Sequence, residues 1–334
     1  MPLKADNPLS ATLLGLLNRL RREKTIEPVA PTTRCDGLRC LITGASSGLG
    51  KALAFDLARR GAALTLPCRS GIPEVGDAIR ERTANRAVRQ LPVDLADLDA
   101  VDALCDDLAA QAARFDVVIC NAAVMPRRSR RTTQGFELMF GVNYLAHARL
   151  VQRVLDDGVI PNRRFADNAA RGRRPRIVIV TSEVHRTAAP LNLEHLGRYV
   201  AYGALDGLAQ YGHSKLLLAT FAQQLSRLLQ TDGRVDVAVH ALCPGAVNTN
   251  LAREAPAWLA PVLRPVMRLA FAPPERAAEP LVYLAAATAI EGETGLYLHG
   301  LTPKPAADTA CDPTVGDGLW RRTAELLERR APDA

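Results

Sequence analysis

The segment Thr43-Gly44-Ala45-Ser46-Ser47-Gly48-Leu49-Gly50 closes an apolar run at 38–43 and opens a helical pattern at 48–60. Glycines at a strand-to-helix junction let the backbone turn tightly and approach a ligand closely. The helix start adds free N–H groups and the positive end of its dipole. That combination suits a pyrophosphate, and it commits the chain to a sheet whose strands feed helices across its faces. A phosphate loop for ATP or GTP is the rival reading. Gly50-Lys51 fits it, but Ala45 stands where its opening glycine belongs and Ala52 where it needs a hydroxyl for magnesium,.

Further apolar runs at 62–66, 87–91, 115–120, 177–181, 235–241 and 296–298 read as strands, and helical patterns fill 97–113, 133–155, 212–230 and 274–287. The strand runs are continuously apolar, as expected of strands covered on both faces. Strand–helix alternation with right-handed crossovers predicts an α/β fold, a Rossmann-type doubly wound parallel sheet of seven strands. One catalytic domain is predicted over 37–325, preceded by an extension at 1–36. There Leu9, Leu13, Leu16, Leu17 and Leu20 recur at helical spacing, so this short helix docks on its own domain or rests on a membrane surface or partner,. Two segments interrupt the scheme: an insertion at 162–175, whose arginines with the adjoining Arg176 read as solvated, and an apolar, proline-broken lid at 250–272 around Trp258,.

Composition narrows the function. No apolar run approaches the roughly 18–20 residues of a membrane span, and the run at 11–17 meets Arg19, Arg21 and Arg22. The seven cysteines are odd in number and lack C-x-x-C spacing, so reduced buried thiols in a cytoplasmic protein are expected, with no metal centre,. A net charge of +7 invites nucleic acid, but aromatics at 4% leave no base-stacking platform, so no nucleic acid is expected as a partner,.

The second strand runs into Cys68-Arg69-Ser70, with no acidic residue to accept from a ribose 2′-hydroxyl. Arg69 suits a 2′-phosphate instead, so NADP(H) is the expected cofactor; Arg80 and Arg82 are alternative sources of charge. Tyr211-Gly212-His213-Ser214-Lys215 sets a tyrosine and a lysine on one helix face,. A neighbouring ammonium favours the phenolate and moves the tyrosine pKa towards the useful range.

Assembled in this order, the chain resembles the short-chain dehydrogenase/reductase family over about 36–325. The resemblance rests on the glycine motif and Tyr211/Lys215. It extends to Asp94-Leu95 after the third strand, Asn121-Ala122-Ala123 after the fourth, Asn143 in Val142-Asn143-Tyr144, and Pro244-Gly245-Ala246-Val247-Asn248-Thr249 after the sixth. Cys68-Arg69, Gly135-Phe136-Glu137, Ser182-Glu183-Val184-His185 and Leu319-Trp320 look most like the retinol-dehydrogenase and WW-domain-oxidoreductase branch. Ala123, where the family has glycine, and Gln134, where the branch has aspartate, depart from it.

The resemblance implies hydride transfer. Tyr211 would exchange the proton with the substrate oxygen, Lys215 would lower the tyrosine pKa and hold the nicotinamide ribose, Ser182 would polarise the substrate oxygen, and Asn143 would fix a water beside Lys215. Gly44, Ser46, Ser47, Gly48, Leu49 and Gly50 would cradle the pyrophosphate, with Asp94 and Leu95 at the adenine. Asn121, Ala122 and Ala123 would flank the adenosine ribose, and Pro244, Gly245, Val247 and Thr249 the nicotinamide. His185 and His213 neighbour these residues, either as substrate contacts or in local hydrogen bonding. A loop after Ser182 and the lid suggest a bulky, apolar carbonyl or alcohol substrate, lipid-like, steroid or isoprenoid. Reduction of a carbon–carbon double bond and a non-catalytic nucleotide-binding scaffold are the alternatives. Family members associate through the helices at 133–155 and 212–230, so a homodimer is expected. The location is cytoplasmic, with peripheral membrane contact through the N-terminal helix as an option.

Overall fold

The computed structural model describes residues 25–168, 170, 172–203, 206–245 and 272–332. Strands β1 (Arg39–Ile42), β2 (Ala63–Cys68), β3 (Val88–Pro92), β4 (Val117–Cys120), β5 (Arg176–Val180), β6 (Ala238–Cys243), β7 (Tyr297–His299) and β8 (Thr302–Pro303) form one sheet ordered β8-β7-β6-β5-β4-β1-β2-β3. β1 to β7 pair in parallel. These are the seven expected strands; the two-residue β8 adds an antiparallel edge through a turn at Gly300. The order reverses between β1 and β4, and the crevice above their carboxyl ends is where a doubly wound sheet receives a nucleotide.

The continuous apolar runs divide by parity between two cores. Leu41 joins one core, while its neighbours Cys40 and Ile42 join the other,. α1 (Gly48–Arg59) and α6 (Pro274–Ala286) cover the Cys40 face. α3 (Leu98–Ala110), α4 (Ala146–Asp156), α5 (Gly207–Leu228) and α8 (Pro313–Arg329) cover the Leu41 face. Short α7 (Asp308–Cys311) leads into α8, and α2 (Glu74–Thr83) joins β2 to β3.

The sequence reading left α2 and α8 unassigned. α2 buries only Val75, Gly76 and Ile79, too thin an apolar stripe to stand out, and a Cβ at Gly76 would lie 2.5 Å from Gln90 Oε1. α8 carries its own signals: Asp312 accepts from the Thr314 and Val315 amides ahead of Pro313, and Gly316, Leu319, Thr323, Leu326 and Leu327 are buried,. The helix expected over 133–155 begins instead with turns around Gly135 (φ +88°) and a one-turn π-helix, Phe140–Leu145, before α4. The sixth strand sits at Ala238–Cys243 because residues 234–235 pair with 230–231 in a hairpin.

Arg176, read as solvated, is 1% exposed: it opens β5 and donates to Leu284 O, Ala287 O and Glu291 Oε2. The helix expected around Leu9–Leu20 lies outside the described residues, as does the lid apart from Ala272. The described part of the N-terminal extension packs on the domain, with the Ile26 amide 2.7 Å from Leu301 O. No helix among the described residues is long and apolar enough to cross a membrane. α8 lies over α5 and the π-helix: Trp320 stacks on Phe221 at 5.7 Å, and the Tyr144 and Thr323 hydroxyls meet at 2.5 Å.

His240 in β6 is fully buried, and neither ring nitrogen has a hydrogen-bond partner among the described residues. Burial, with Arg176 nearby, pushes its pKa down to about 3. The unfolded chain takes up this proton near pH 6.5 and the folded chain refuses it, so stability is full above that pH and falls as pH drops. His240 alone costs about 2 kcal/mol between pH 7 and pH 5. His240→Leu should flatten the fall in urea midpoint across this range; an unchanged slope would place the acid sensitivity elsewhere.

Candidate active site

The turn after β1 is fixed by packing. Gly44 has φ +70°, and a Cβ there would come within 2.7 Å of Ala122 Cα. A Cβ on Gly50 would lie 2.4 Å from both Asn121 Nδ2 and Gly44 O. Only glycine fits either place, because the ends of β1 and β4 are pressed together. Asn121 holds them there, its Nδ2 donating to Thr43 O at 2.9 Å and Gly44 O at 3.3 Å. Thr43 Oγ1 accepts from the Asn121 and Ala122 amides at 3.0 and 3.1 Å. Ser47 is the N-cap of α1, yet its hydroxyl makes no capping bond, and the first turn of α1 holds no acidic residue. A helix start with open amides, an unengaged hydroxyl and uncompensated positive dipole suits a phosphate.

At the end of β2, Arg69 lies 3.9 Å from Asp94 after β3; the two side chains are 65% and 45% exposed, so the guanidinium is reachable from solvent. Asp94 Oδ1 accepts from the Ala96 amide, which shapes the turn that carries Leu95. Ala123 is half-buried, as are Pro244 and Gly245 directly after β6. Val247 and Thr249 lie outside the described residues.

Three bonds bind the end of β5 to α5 and α5 to the π-helix. Lys215 Nζ donates to Val180 O at 2.9 Å, and Thr181 Oγ1 donates to Lys215 O at 2.9 Å. Asn143 Nδ2 donates to Ser214 Oγ at 3.1 Å, and Ser214 Oγ donates to Tyr211 O at 2.8 Å. Asn143 is otherwise bound to Val124, accepting from its amide and donating to its carbonyl. These bonds draw Asn143, Ser182, Tyr211 and Lys215 into one region at the carboxyl edge of the sheet. Gly212 permits close packing, since a Cβ there would lie 3.1 Å from Val184 O in the short helix Glu183–Thr187 after Ser182.

The electrostatics differ from expectation at one point. Burial pushes the Tyr211 phenol up rather than down. The Lys215 ammonium sits 5.5 Å from the ring centroid and bonds Val180 O, so the desolvation of the phenol dominates,. Burial brings Lys215 itself down to about 8. An ammonium has three donors and Val180 takes one, which leaves capacity for hydroxyl acceptors such as those of a ribose.

Glu183, which enters the sequence reading only within Ser182-Glu183-Val184-His185, anchors the Ser182 turn. Its carboxylate receives Lys304 Nζ at 2.6 Å, Tyr297 Oη at 2.5 Å and Arg186 Nε at 3.1 Å. Despite desolvation, these donors hold its pKa at about 2. Cys243 Sγ accepts the Glu183 and Gly245 amides. His185 bonds Ser182 O through Nδ1 and accepts the Ala307 amide at Nε2, so it serves the local backbone. No spacing motif announces such a cluster, because its members come from three distant stretches of chain.

Residues 39–193 match the family model for short chain dehydrogenase. The chain is 33% identical over 297 residues to mouse (Mus musculus) retinol dehydrogenase 13, covering 87% of this chain and 84% of that protein. It is 34% identical to Mus musculus polyprenol dehydrogenase, covering 95% and 91%. A solved structure from Mycobacterium Paratuberculosis, described only as an uncharacterised protein, superposes with a TM-score of 0.66 at 26% identity, over 90% of this chain and 98% of that one.

Proposed function

The chain belongs to the short-chain dehydrogenase family, and we propose that it is an NADP(H)-dependent enzyme transferring a hydride between nicotinamide and a carbonyl or secondary alcohol on a bulky, apolar substrate. Membership makes it a nicotinamide-dependent oxidoreductase. The observation that carries the finer reading is the buried Lys215 ammonium, one helical turn from Tyr211 and tied to the strand that delivers Ser182.

When bound, the nicotinamide nucleotide supplies or accepts the hydride; the protein supplies position and proton management. In this reading Gly44, Ser46, Ser47, Gly48, Leu49 and Gly50 would hold the pyrophosphate, and Asp94, Leu95, Asn121, Ala122 and Ala123 would flank the adenosine. Pro244, Gly245, Val247 and Thr249 would hold the nicotinamide end. Lys215 would donate to the nicotinamide ribose while Tyr211 would pass its proton to the substrate oxygen, which Ser182 would orient. The phenol, raised by burial, keeps its proton at neutral pH, which suits reduction of a carbonyl,. Retinol and polyprenol, in the names of two relatives, are apolar isoprenoid alcohols and support an apolar substrate.

Catalysis is placed in 37–325 and the location is cytoplasmic, with the N-terminal segment either docking on its own domain or making a peripheral membrane contact. A homodimer through the helices at 133–155 and 212–230 completes the proposal.

Arg69 decides the cofactor. Charge-assisted bonds to a 2′-phosphate are worth roughly 1.5–3 kcal/mol, or about 10- to 100-fold in affinity. Asp94 at 3.9 Å competes for the guanidinium, so the lower part of that range is expected. In a titration followed by nucleotide fluorescence, Arg69→Ala should weaken NADPH about tenfold and leave NADH nearly unchanged. Equal binding of the two nucleotides by the unaltered protein would overturn the NADP assignment.

A further inference from the structure

We propose that His147 is a positioning residue that locks the nucleotide-binding turn to the helix bearing Tyr211 and Lys215. The inference rests on the oxidoreductase reading and concerns a side chain to which neither the sequence motifs nor the proposed chemistry assigns a role.

His147 lies in α4, 1% exposed, just beyond the π-helix. Its Nδ1 is 2.9 Å from Asn143 O, and its Nε2 is 2.9 Å from Thr43 Oγ1. A carbonyl only accepts, so Nδ1 carries the hydrogen; Nε2 then accepts, and the Thr43 hydroxyl donates to it. The same Thr43 oxygen accepts the Asn121 and Ala122 amides. The bonds through the ring share one polarity: they run from the end of β4 through Thr43, the residue before Gly44, across the His147 ring and end at the Asn143 backbone carbonyl. A second set starts at the Asn143 side-chain amide, which donates to Ser214, which donates to Tyr211 O. Burial pushes the His147 pKa down to about 4, so the ring stays neutral and the polarity is preserved at neutral pH.

The π-turn explains why a ring is needed there. Ala146 donates to Gly141 O, one residue further back than an α-helical bond, so the backbone pairing slips across Asn143,. The His147 side chain meets the Asn143 carbonyl at that slip and holds the backbone from which the Asn143 side chain reaches Val124 and Ser214. An aliphatic replacement would leave Thr43 Oγ1 and Asn143 O without this partner in a dry interior.

The test compares His147→Leu, which removes both bonds, with His147→Asn, whose amide can still reach Asn143 O. Measurements are kcat and KM for NADPH-dependent reduction of apolar carbonyls, NADPH dissociation constants, thermal melts and amide exchange at 121–124 and 140–147. His147→Leu should lower kcat about 10- to 100-fold, as small misplacements of reacting groups do. NADPH affinity should change less than about threefold. Exchange should quicken in both segments, and His147→Asn should recover much of kcat. Wild-type kcat in His147→Leu, a loss matched by the fraction unfolded, an Asn variant no better than Leu, or unchanged exchange would each overturn the role of His147. Absence of hydride transfer in the unaltered protein would overturn the oxidoreductase reading and this role with it; loss confined to the variants distinguishes the two.

Discussion

Tyr211→Phe is expected to fold, bind NADPH and turn over about 10²- to 10⁴-fold more slowly, the range that a positioned proton donor contributes. The variant keeps the ring that packs in the site and deletes only the hydroxyl. The backbone of Tyr211 is held independently, through Ser214 Oγ at 2.8 Å, so its helix should not shift. Lys215 remains bonded to Val180 O and, with its pKa brought down to about 8, still carries charge at pH 7 in most molecules. The loss should therefore fall on kcat, since the phenol proton is needed only as the substrate oxygen gains charge. Stopped-flow absorbance at 340 nm, with a bulky apolar ketone or aldehyde as substrate, separates chemistry from nucleotide release. Undiminished hydride transfer in Tyr211→Phe would remove Tyr211 from the proton path. A loss carried wholly by NADPH affinity would make it a binding residue.

Much of this site was legible because its residues follow strands. A parallel doubly wound sheet delivers the ends of successive strands to one edge, so Gly44, Asn121, Ser182 and Gly245 could be placed from chain order alone,. Tyr211 and Lys215 were legible because one helical turn is a fixed geometry. The supporting network was hidden for a converse reason. Thr43, His147 and Ser214 are single residues of ordinary type, joined only by packing of β1, α4 and α5. Glu183 meets Lys304 and Tyr297 across more than a hundred residues of sequence. The phenol pKa was misjudged because spacing fixes which residues are neighbours, whereas burial decides which electrostatic effect wins,. Arg176 failed in the same manner: six nearby arginines suggested a solvated loop, yet the last of them is the first residue of a central strand.

That arginine yields the largest stability effect expected in this fold. α6 has no basic residue in its last turn, so its terminal carbonyls need a donor from elsewhere,. Arg176 supplies it, bonding Leu284 O at 3.0 Å and Ala287 O at 2.7 Å, and its remaining charge is met by Glu291 at 2.9 Å. Arg173 reaches Ala286 O beside it, and the Arg174 amide donates to Glu291 Oε1. Arg173 and Arg176 thus close α6, while Arg163 and Arg164 face solvent. Arg176→Met keeps the volume but strands two buried carbonyls, at about 1–3 kcal/mol each, and takes the nearest cation from the part-exposed Glu291,. Burial lowers the Arg176 pKa, which marks the cost of holding this charge and explains why its three acceptors must all be present. Urea unfolding should show the midpoint falling steeply for Arg176→Met and hardly at all for Arg163→Ala. Comparable midpoints for the two would mean that α6 is closed by something other than Arg176. A selective drop would establish that Arg176, at the amino edge of the sheet, is what closes α6.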